Sequence, residues 1–294
     1  MSMQCLVTGA SSQLGAPLLE QLLKRNHRVT AWTRTPLELP TSAKKNIIWQ
    51  QADLRHPPAV ATSTQLIIHL APIDLLPALL TAVTTSPVRI IAISTCSIRF
   101  KAQSACLHEQ KIAAQLLAAE QQVIDLAKEQ GHQLTVLRPS MLYGVGRDGT
   151  VAVLQRFIRR FGFIVLPAQA TGLRQPVHVV DVVQAVLACI DQPSTVGQCY
   201  ELGGAERLTL EQLVRCVFIQ NQRRPRVLKV PQWLLRALIA MVRWTRLRGD
   251  WRPGLVARAQ QAQVVDNRPA QQAFAYAPRA FDGRFVIGAD NAQS

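Results

Sequence analysis

The sequence predicts a doubly wound α/β fold, a parallel sheet with a smaller C-terminal lobe, and three observations carry it. Short runs rich in Val and Ile alternate with longer helical segments up to Pro139, and the runs lack the period-two alternation of a half-exposed strand, as expected of strands covered on both faces. A turn of the form Gly-x-x-Ser-x-x-Gly, in "TGASSQLG", joins the first run to the first helix. Beyond Pro139 the alternation loosens into shorter and more varied elements.

The runs "QCLVTG", "HRVTAWTR", "NIIWQQAD", "QLIIHLA", "RIIAIST" and "QLTVLRPS" are read as six strands. The helical segments between them are "LGAPLLEQLLKRN", the stretch from Pro57 to Thr64, "DLLPALLTAVTTS", and a long helix from Leu107 that ends with Gly131 as its C-cap. Six strands separated by helices make the doubly wound sheet. Further on, "VAVLQRFIRRF" is helical, "FIVLP" a short strand, "VVDVVQAVLACI" a helix capped by Asp181, and "GQCYELGG" a strand. "LTLEQLVRCVFIQ" starts at a Thr209 cap, and a final helical region begins at Pro231. The expected division is 1–148 for the sheet domain, with 176–203 returning to it, and 149–175 plus 204–294 for the lobe. Ligands of such sheets sit beyond the carboxyl ends of the strands, so the lobe is expected to cover that edge.

With 294 residues and 48% hydrophobic side chains the chain can bury a large core. Its net charge of +15 invites a polyanion partner, but "RFIRRF", "RRPRVLK" and "MVRWTRLRGDWR" do not form a recognisable nucleic-acid module, and nucleic acid is disfavoured. Cysteines 5, 96, 106, 189, 199 and 216 include no Cys-x-x-Cys pair, and they read as reduced, buried thiols with neither a disulfide framework nor a metal site. The first residues lack a charged lead before an apolar stretch, and no run is long enough to span a bilayer as a helix, so the expected location is cytoplasmic.

In the opening turn Gly9 can take the positive φ of a tight strand-to-helix connection, and Gly15 allows close packing of helix on sheet. N–H groups at the helix start would face an anion, which makes a dinucleotide the expected ligand. Ser12 stands where the central glycine belongs; its Cβ crowds the approach of a pyrophosphate, while its hydroxyl and that of Ser11 could donate to the same oxygens. Pro17 has no N–H, so the helix is expected to start late or bend there. Arg34 ends the second strand where an acidic side chain would meet a free ribose 2′-hydroxyl, and this favours NADP(H), with NAD(H) the other option; a solvated surface arginine is the plain alternative. Asp53 closes the third strand either to reach adenine or ribose or to cap the next segment.

Taken in order, "TGASSQLG", "ADL", "IIHLAP", "ISTCS", "LRPSMLYG", "RQPVHVVDVVQAV" and "GQCYELGG" make the chain resemble an extended or atypical short-chain dehydrogenase/reductase of the NAD-dependent epimerase/dehydratase superfamily. The likeness is greatest to the branch that includes the short-chain-dehydrogenase-like accessory subunit of respiratory complex I. It implies a Rossmann fold whose cofactor contacts come from Thr8, Gly9, Ser11, Ser12, Gln13, Leu14 and Gly15, from Arg34, Asp53 and Leu54, from Leu70, Ala71 and Pro72, and from Ser94, Thr95, Pro139 and Ser140. Tyr143 would lie at the mouth of the site. Arg174 would meet a substrate diphosphate or make a salt bridge within the lobe.

Active members of that family use a Ser or Thr after the fifth strand and a Tyr-x-x-x-Lys on the next helix, where the Lys lowers the Tyr pKa for proton exchange while hydride moves to or from nicotinamide. Cys96 stands at the hydroxyl position here. Two helix registers are open: Lys111 as the lysine puts Leu107 at the tyrosine, whereas Glu120 as the family's glutamate puts Ile112 and Leu116 at the Tyr and Lys positions. The second is preferred because it needs no insertion. Cys96, His108 and Lys111 are the nearest replacements for the missing groups.

From 231 to 252, Trp233, Trp244 and Trp251 stand with arginines around an apolar stripe, which fits a helix packed on the lobe or, second, peripheral contact with the inner face of a membrane. Two functions follow. One is an NADP(H)-dependent oxidoreductase or epimerase-like protein acting on a carbonyl or sugar-nucleotide substrate; the other is a non-catalytic NADP(H)-binding sensor, scaffold or assembly factor for a partner or membrane complex. The sequence leaves the oligomeric state open.

Overall fold

A computed structural model describes residues 2–34, 46–84, 87–146, 148–231, 233–234 and 260–283. The first half runs β1 (Gln4–Thr8), α1 (Gly15–Lys24), β2 (Arg28–Thr33), β3 (Ile47–Gln51), β4 (Leu66–His69), α2 (Leu76–Thr81), β5 (Arg89–Ile93), α3 (Ser97–Ala102), α4 (Leu107–Glu129) and β6 (Gln133–Pro139). The second half runs β7 (Met141–Tyr143), α5 (Val151–Phe161), β8 (Ile164–Pro167), β9 (Leu173–Arg174), β10 (Pro176–His178), α6 (Val179–Asp191), β11 (Cys199–Leu202), β12 (Leu208–Thr209), α7 (Leu210–Gln220), β13 (Val227–Val230) and α8 (Arg268–Phe274).

Seven parallel strands pair in the order β11-β6-β5-β4-β1-β2-β3, a doubly wound Rossmann sheet whose order reverses between β1 and β4. Neighbouring strand residues point to opposite faces, and both faces are apolar. Val7, Ile68 and Ile91 meet Leu18 and Leu22 of α1 and Val182 and Val186 of α6 on one side, while Leu6, Ile67 and Ile90 meet Leu76 and Leu80 of α2 and Val123 of α4 on the other. A third core, built from Tyr143, Val151, Ile158, Ile164, Leu213, Val217 and Phe218, holds the lobe together.

Several local expectations change. The stretch from Pro57 to Thr64 is not helical, because its two consecutive prolines remove two donors and drive the residue before each toward extended backbone. α1 begins at Gly15, so Pro17 falls in the first turn, where an N–H has no helical acceptor to lose. The cap of α6 is His178, whose Nδ1 accepts the Val180 N–H at 3.2 Å; Asp181 sits inside the first turn and pairs with Arg279 at 2.8 Å. Cys5, Cys96 and Cys189 are buried, but Cys106 and Cys199 are exposed, so the thiols are not uniformly core residues. Among the described residues no cluster of metal-ligating side chains occurs.

The C-terminal segment also departs from the expected division. Residues counted with the lobe return to the sheet domain: Ala270, Phe274 and Tyr276 join the core beside α6, and Phe274 meets Tyr200 of β11 edge-on at 5.1 Å. Of the tryptophan-and-arginine region, Trp233 is described and exposed, whereas Trp244 and Trp251 lie outside the described residues.

Candidate dinucleotide-binding site

β1 and β4 end side by side at the point where the strand order reverses, with Thr8 opposite His69. Gly9 takes φ +67°, and a Cβ there would stand 2.6 Å from the Ala71 nitrogen. A Cβ at Gly15 would meet the Ala10 carbonyl oxygen at 1.8 Å. Both glycines are therefore required by the close approach of turn, helix and β4 loop. Between them the Ser12 N–H donates to Gly9 O at 2.9 Å and the Gly15 N–H to Ser12 O at 3.1 Å.

This turn holds two buried polar atoms without a partner, Ser12 Oγ and Gln13 Oε1. Such atoms are costly unless something outside the chain meets them. No acidic residue occupies the first turn of α1, so its positive end is not neutralised locally. An orphaned hydroxyl and an uncompensated helix start, packed close by two glycines, fit the pyrophosphate of a dinucleotide.

The strand ends are pinned by His69, a residue that sequence reasoning did not single out although "IIHLAP" contains it. His69 is fully buried; its Nε2 lies 3.0 Å from Pro72 O and its Nδ1 2.8 Å from Thr8 Oγ1. A carbonyl only accepts, so the proton is assigned to Nε2, and the Thr8 hydroxyl donates to Nδ1. Burial lowers the imidazole pKa from 6.5 to about 4. The ring is thus a neutral strut that fixes the Ala71 loop against Gly9.

Arg34 is exposed just past the end of β2, its carbonyl accepting Gln51 Nε2 at 3.2 Å. Asp53 is exposed and its Oδ1 accepts the Arg55 N–H at 3.0 Å, so it shapes a turn. Leu54 and Leu70 are buried, Ala71 half-buried and Pro72 exposed, while Ser11 is exposed beside the turn and Leu14 is buried beneath it.

On α4 the Glu120 side chain is 1% exposed and forms the hub of a polar cluster. Ser94 Oγ donates to it at 2.5 Å, Arg138 Nε donates at 3.1 Å, and Arg138 Nη2 closes a second bond to its other oxygen. Two turns earlier Ile112 is half-buried, and Leu116 packs against the second core face. In the other register Leu107 is 72% exposed, with His108 and Lys111 exposed beside it. Cys96 is buried and donates to Arg138 O at 2.8 Å; burial pushes its thiol up to about 12, which leaves no thiolate near neutral pH. Thr95 Oγ1 accepts the Ser97 N–H at 3.1 Å.

On the lobe side Pro139 is buried, and Ser140 Oγ donates to Gln175 O while its N–H donates to Leu202 O at 2.8 Å. Tyr143 is fully buried, edge-on to His178 at 5.0 Å and to Phe281 at 4.8 Å, and burial raises its phenol pKa. Arg174 is buried, with Nη1 donating to Leu173 O at 2.9 Å and Gln261 O at 2.6 Å. Its neighbour Gln175, not singled out from sequence, donates Nε2 to Gly204 O at 2.8 Å and accepts the Val265 N–H at 2.9 Å. Only its place inside "RQPVHVV" hinted at a role.

These features agree with what the chain is similar to. The description of the NAD dependent epimerase/dehydratase family matches residues 5–78 and 73–203. The chain belongs to this family. Over 124 residues it is 32% identical to NADH dehydrogenase (ubiquinone) 1 alpha subcomplex subunit 9, mitochondrial, of Arabidopsis thaliana, covering 42% of this chain and 30% of that one. Over 115 residues it is 25% identical to UDP-glucose 4-epimerase of Vibrio cholerae, covering 39% of this chain and 35% of that one. The fold matches a Bacillus cereus UDP-glucuronic acid 4-epimerase mutant solved with a UDP-sugar analogue and NAD, at a TM-score of 0.72 and 16% identity over 96% of each chain. At that identity the likeness speaks for the extended short-chain dehydrogenase/reductase fold alone. No helix among the described residues is long and apolar enough to cross a membrane.

Proposed function

We propose that this family member binds a nicotinamide dinucleotide, NADP(H) in preference to NAD(H), and serves as a cofactor-binding scaffold or sensor in a protein assembly instead of a Tyr–Lys oxidoreductase. The observation that carries this reading is the α4 register. Counted from Glu120, which is buried against Arg138 and Ser94, the family's interval leaves Ile112 and Leu116 where a phenol and an ammonium would be needed. Neither side chain can hold or move a proton.

The residues that would hold the cofactor are those of the turn: Gly9 and Gly15 by close approach, Ser12 by its hydroxyl, and Arg34 at the 2′-position. When bound, a nicotinamide supplies hydride exchange, and the chain's own residues would position it without a matched acid and base. Similarity to a complex I subunit from Arabidopsis thaliana over 124 residues supports the assembly role.

Calorimetric titration with NADPH and NADH tests the binding half, and a search for loss of NADPH absorbance over carbonyl and UDP-sugar panels tests the other. The expected result is binding, with NADPH tighter by about tenfold, a difference of about 1.4 kcal/mol, and no turnover. Arg34→Asp should weaken NADPH far more than NADH. Failure to bind either nucleotide sinks the reading, and efficient turnover of any panel member restores the enzyme reading of the same fold.

A further inference from the structure

We propose that the outer corner of the C-terminal lobe is a docking surface for anionic phospholipid headgroups. The inference goes beyond the dinucleotide reading and does not rest on it.

The corner is formed by the end of α5, the turn at 161–163 that leads into β8, and the segment 221–226 that leads into β13. α5 buries Val151, Ala152 and Ile158 in the lobe core and turns Arg156, Arg159 and Arg160 outward. The helix stops at Gly162, at φ +76°, and phenylalanines on either side of that glycine stay in solvent, Phe161 at 54% and Phe163 at 37% exposure. They form one aromatic group through Phe157, whose ring centroid is 4.5 Å from that of Phe161 and 6.3 Å from that of Phe163.

Arginines surround this group. The Arg160 guanidinium lies 5.6 Å from the centroid of Phe161, Arg159 Nε donates to Asn221 Oδ1 at 2.8 Å, and Arg223 Nη1 donates to Ile158 O at 2.9 Å. The Ile164 N–H donates to Arg226 O at 2.9 Å, which brings Arg226 and its neighbour Arg224 to the same corner. From residue 149 to 180 and from 212 to 231 the chain carries nine arginines and lysines and no carboxylate. Arg174 is buried, and Arg215 and Lys229 pair with Glu211. The other six, Arg156, Arg159, Arg160, Arg223, Arg224 and Arg226, are exposed, and none is ion-paired among the described residues.

The chemistry of the surface selects its occupant. Unneutralised arginines gathered at one corner attract a polyanion. Exposed phenylalanines beside them gain when inserted below a headgroup layer, whereas duplex nucleic acid, with its bases stacked inside and its phosphodiester backbone outward, gives a phenyl side chain little to bury in. Guanidinium groups reach headgroup phosphates with paired donors while the rings enter the acyl boundary. An anionic lipid surface satisfies both halves of the pattern.

The test is flotation of the full-length protein with vesicles of equal phosphatidylglycerol and phosphatidylcholine, and with phosphatidylcholine alone. Wild type should bind the first and not the second. F161S/F163S and R159E/R160E should each lower partition by about tenfold with unchanged melting, while R28E/K128E, the same charge change made on the sheet domain, should not. Equal loss in the control pair would mean that bulk charge acts and would overturn the assignment. So would full vesicle binding by F161S/F163S, or displacement from vesicles by a short duplex DNA that the phenylalanine variant binds as tightly as wild type.

Discussion

Ser12 is the residue on which the proposed dinucleotide site turns. Its hydroxyl is buried and has no partner within the chain, a state that costs about 1–3 kcal/mol where it persists. Ser12→Ala is therefore expected to leave the free protein's denaturation midpoint unchanged or raised, and to weaken dinucleotide binding several-fold in the same titration. The reverse pattern, a less stable free protein with full affinity, would make the hydroxyl structural. Gly15→Ala should act differently. Its methyl group would meet Ala10 O at 1.8 Å, so the turn must move, at a cost of about 2–3 kcal/mol in urea unfolding, with binding lost as well. These demands were legible in the sequence because a glycine's reason for being there is local. The Gln175 contacts with Gly204 and Val265 were not legible, since each partner lies on a different distant segment.

At the scale of elements, α4 is tied to the sheet by a charged group as well as by its apolar stripe. Glu120 collects Ser94 from the end of β5 and Arg138 from β6, and the Arg138 side chain is 28% exposed against 1% for the carboxylate. Removing the carboxylate strands a mostly buried guanidinium and a buried hydroxyl together. Glu120→Ala should thus cost about 3 kcal/mol, while E120L/R138M, which removes both charges, should recover most of that loss. A thermal-melt double-mutant cycle reads this coupling, and additive losses would show that the pair does not hold the helix. The preferred register of α4 rests on the interval between Glu120 and Arg138, two residues close along the chain that the fold pairs. The β8–β13 pairing was not legible in the sequence, since two short strands far apart carry no periodicity of their own. The Pro57 to Thr64 stretch is not helical where a helix was expected, because its two prolines outweigh its place between two strands.

For the whole molecule, buried histidines shape its response to mild acid. Four of the six, His27, His69, His132 and His178, have pKa values below the usual range, with burial as the largest cause in each. In three of them the Nδ1 accepts a main-chain N–H, from Met3 to His27, from Val88 to His132 and from Val180 to His178, and a proton on that nitrogen would end the bond. The first two contacts join the start of β1 to the turn before β2 and the start of β5 to the turn before β6, and the third caps α6 where β10 ends, so acid acts at several points of the fold at once. The unfolded chain takes up protons near pH 6.5 and the folded chain only lower, for His69 at about 4. Their contribution is therefore complete above pH 6.5 and declines as pH falls, because between those values the unfolded state binds more protons. His69 alone accounts for about 3 kcal/mol across that window. Urea midpoints measured from pH 7.5 to 4.5 should fall steadily below 6.5, and His69→Gln should be less stable at neutral pH with a shallower slope. A midpoint that stays level from pH 6.5 to 4.5 in wild type would mean that these rings are already protonated in the fold, and the neutral strut between Thr8 and Pro72 would have to be abandoned.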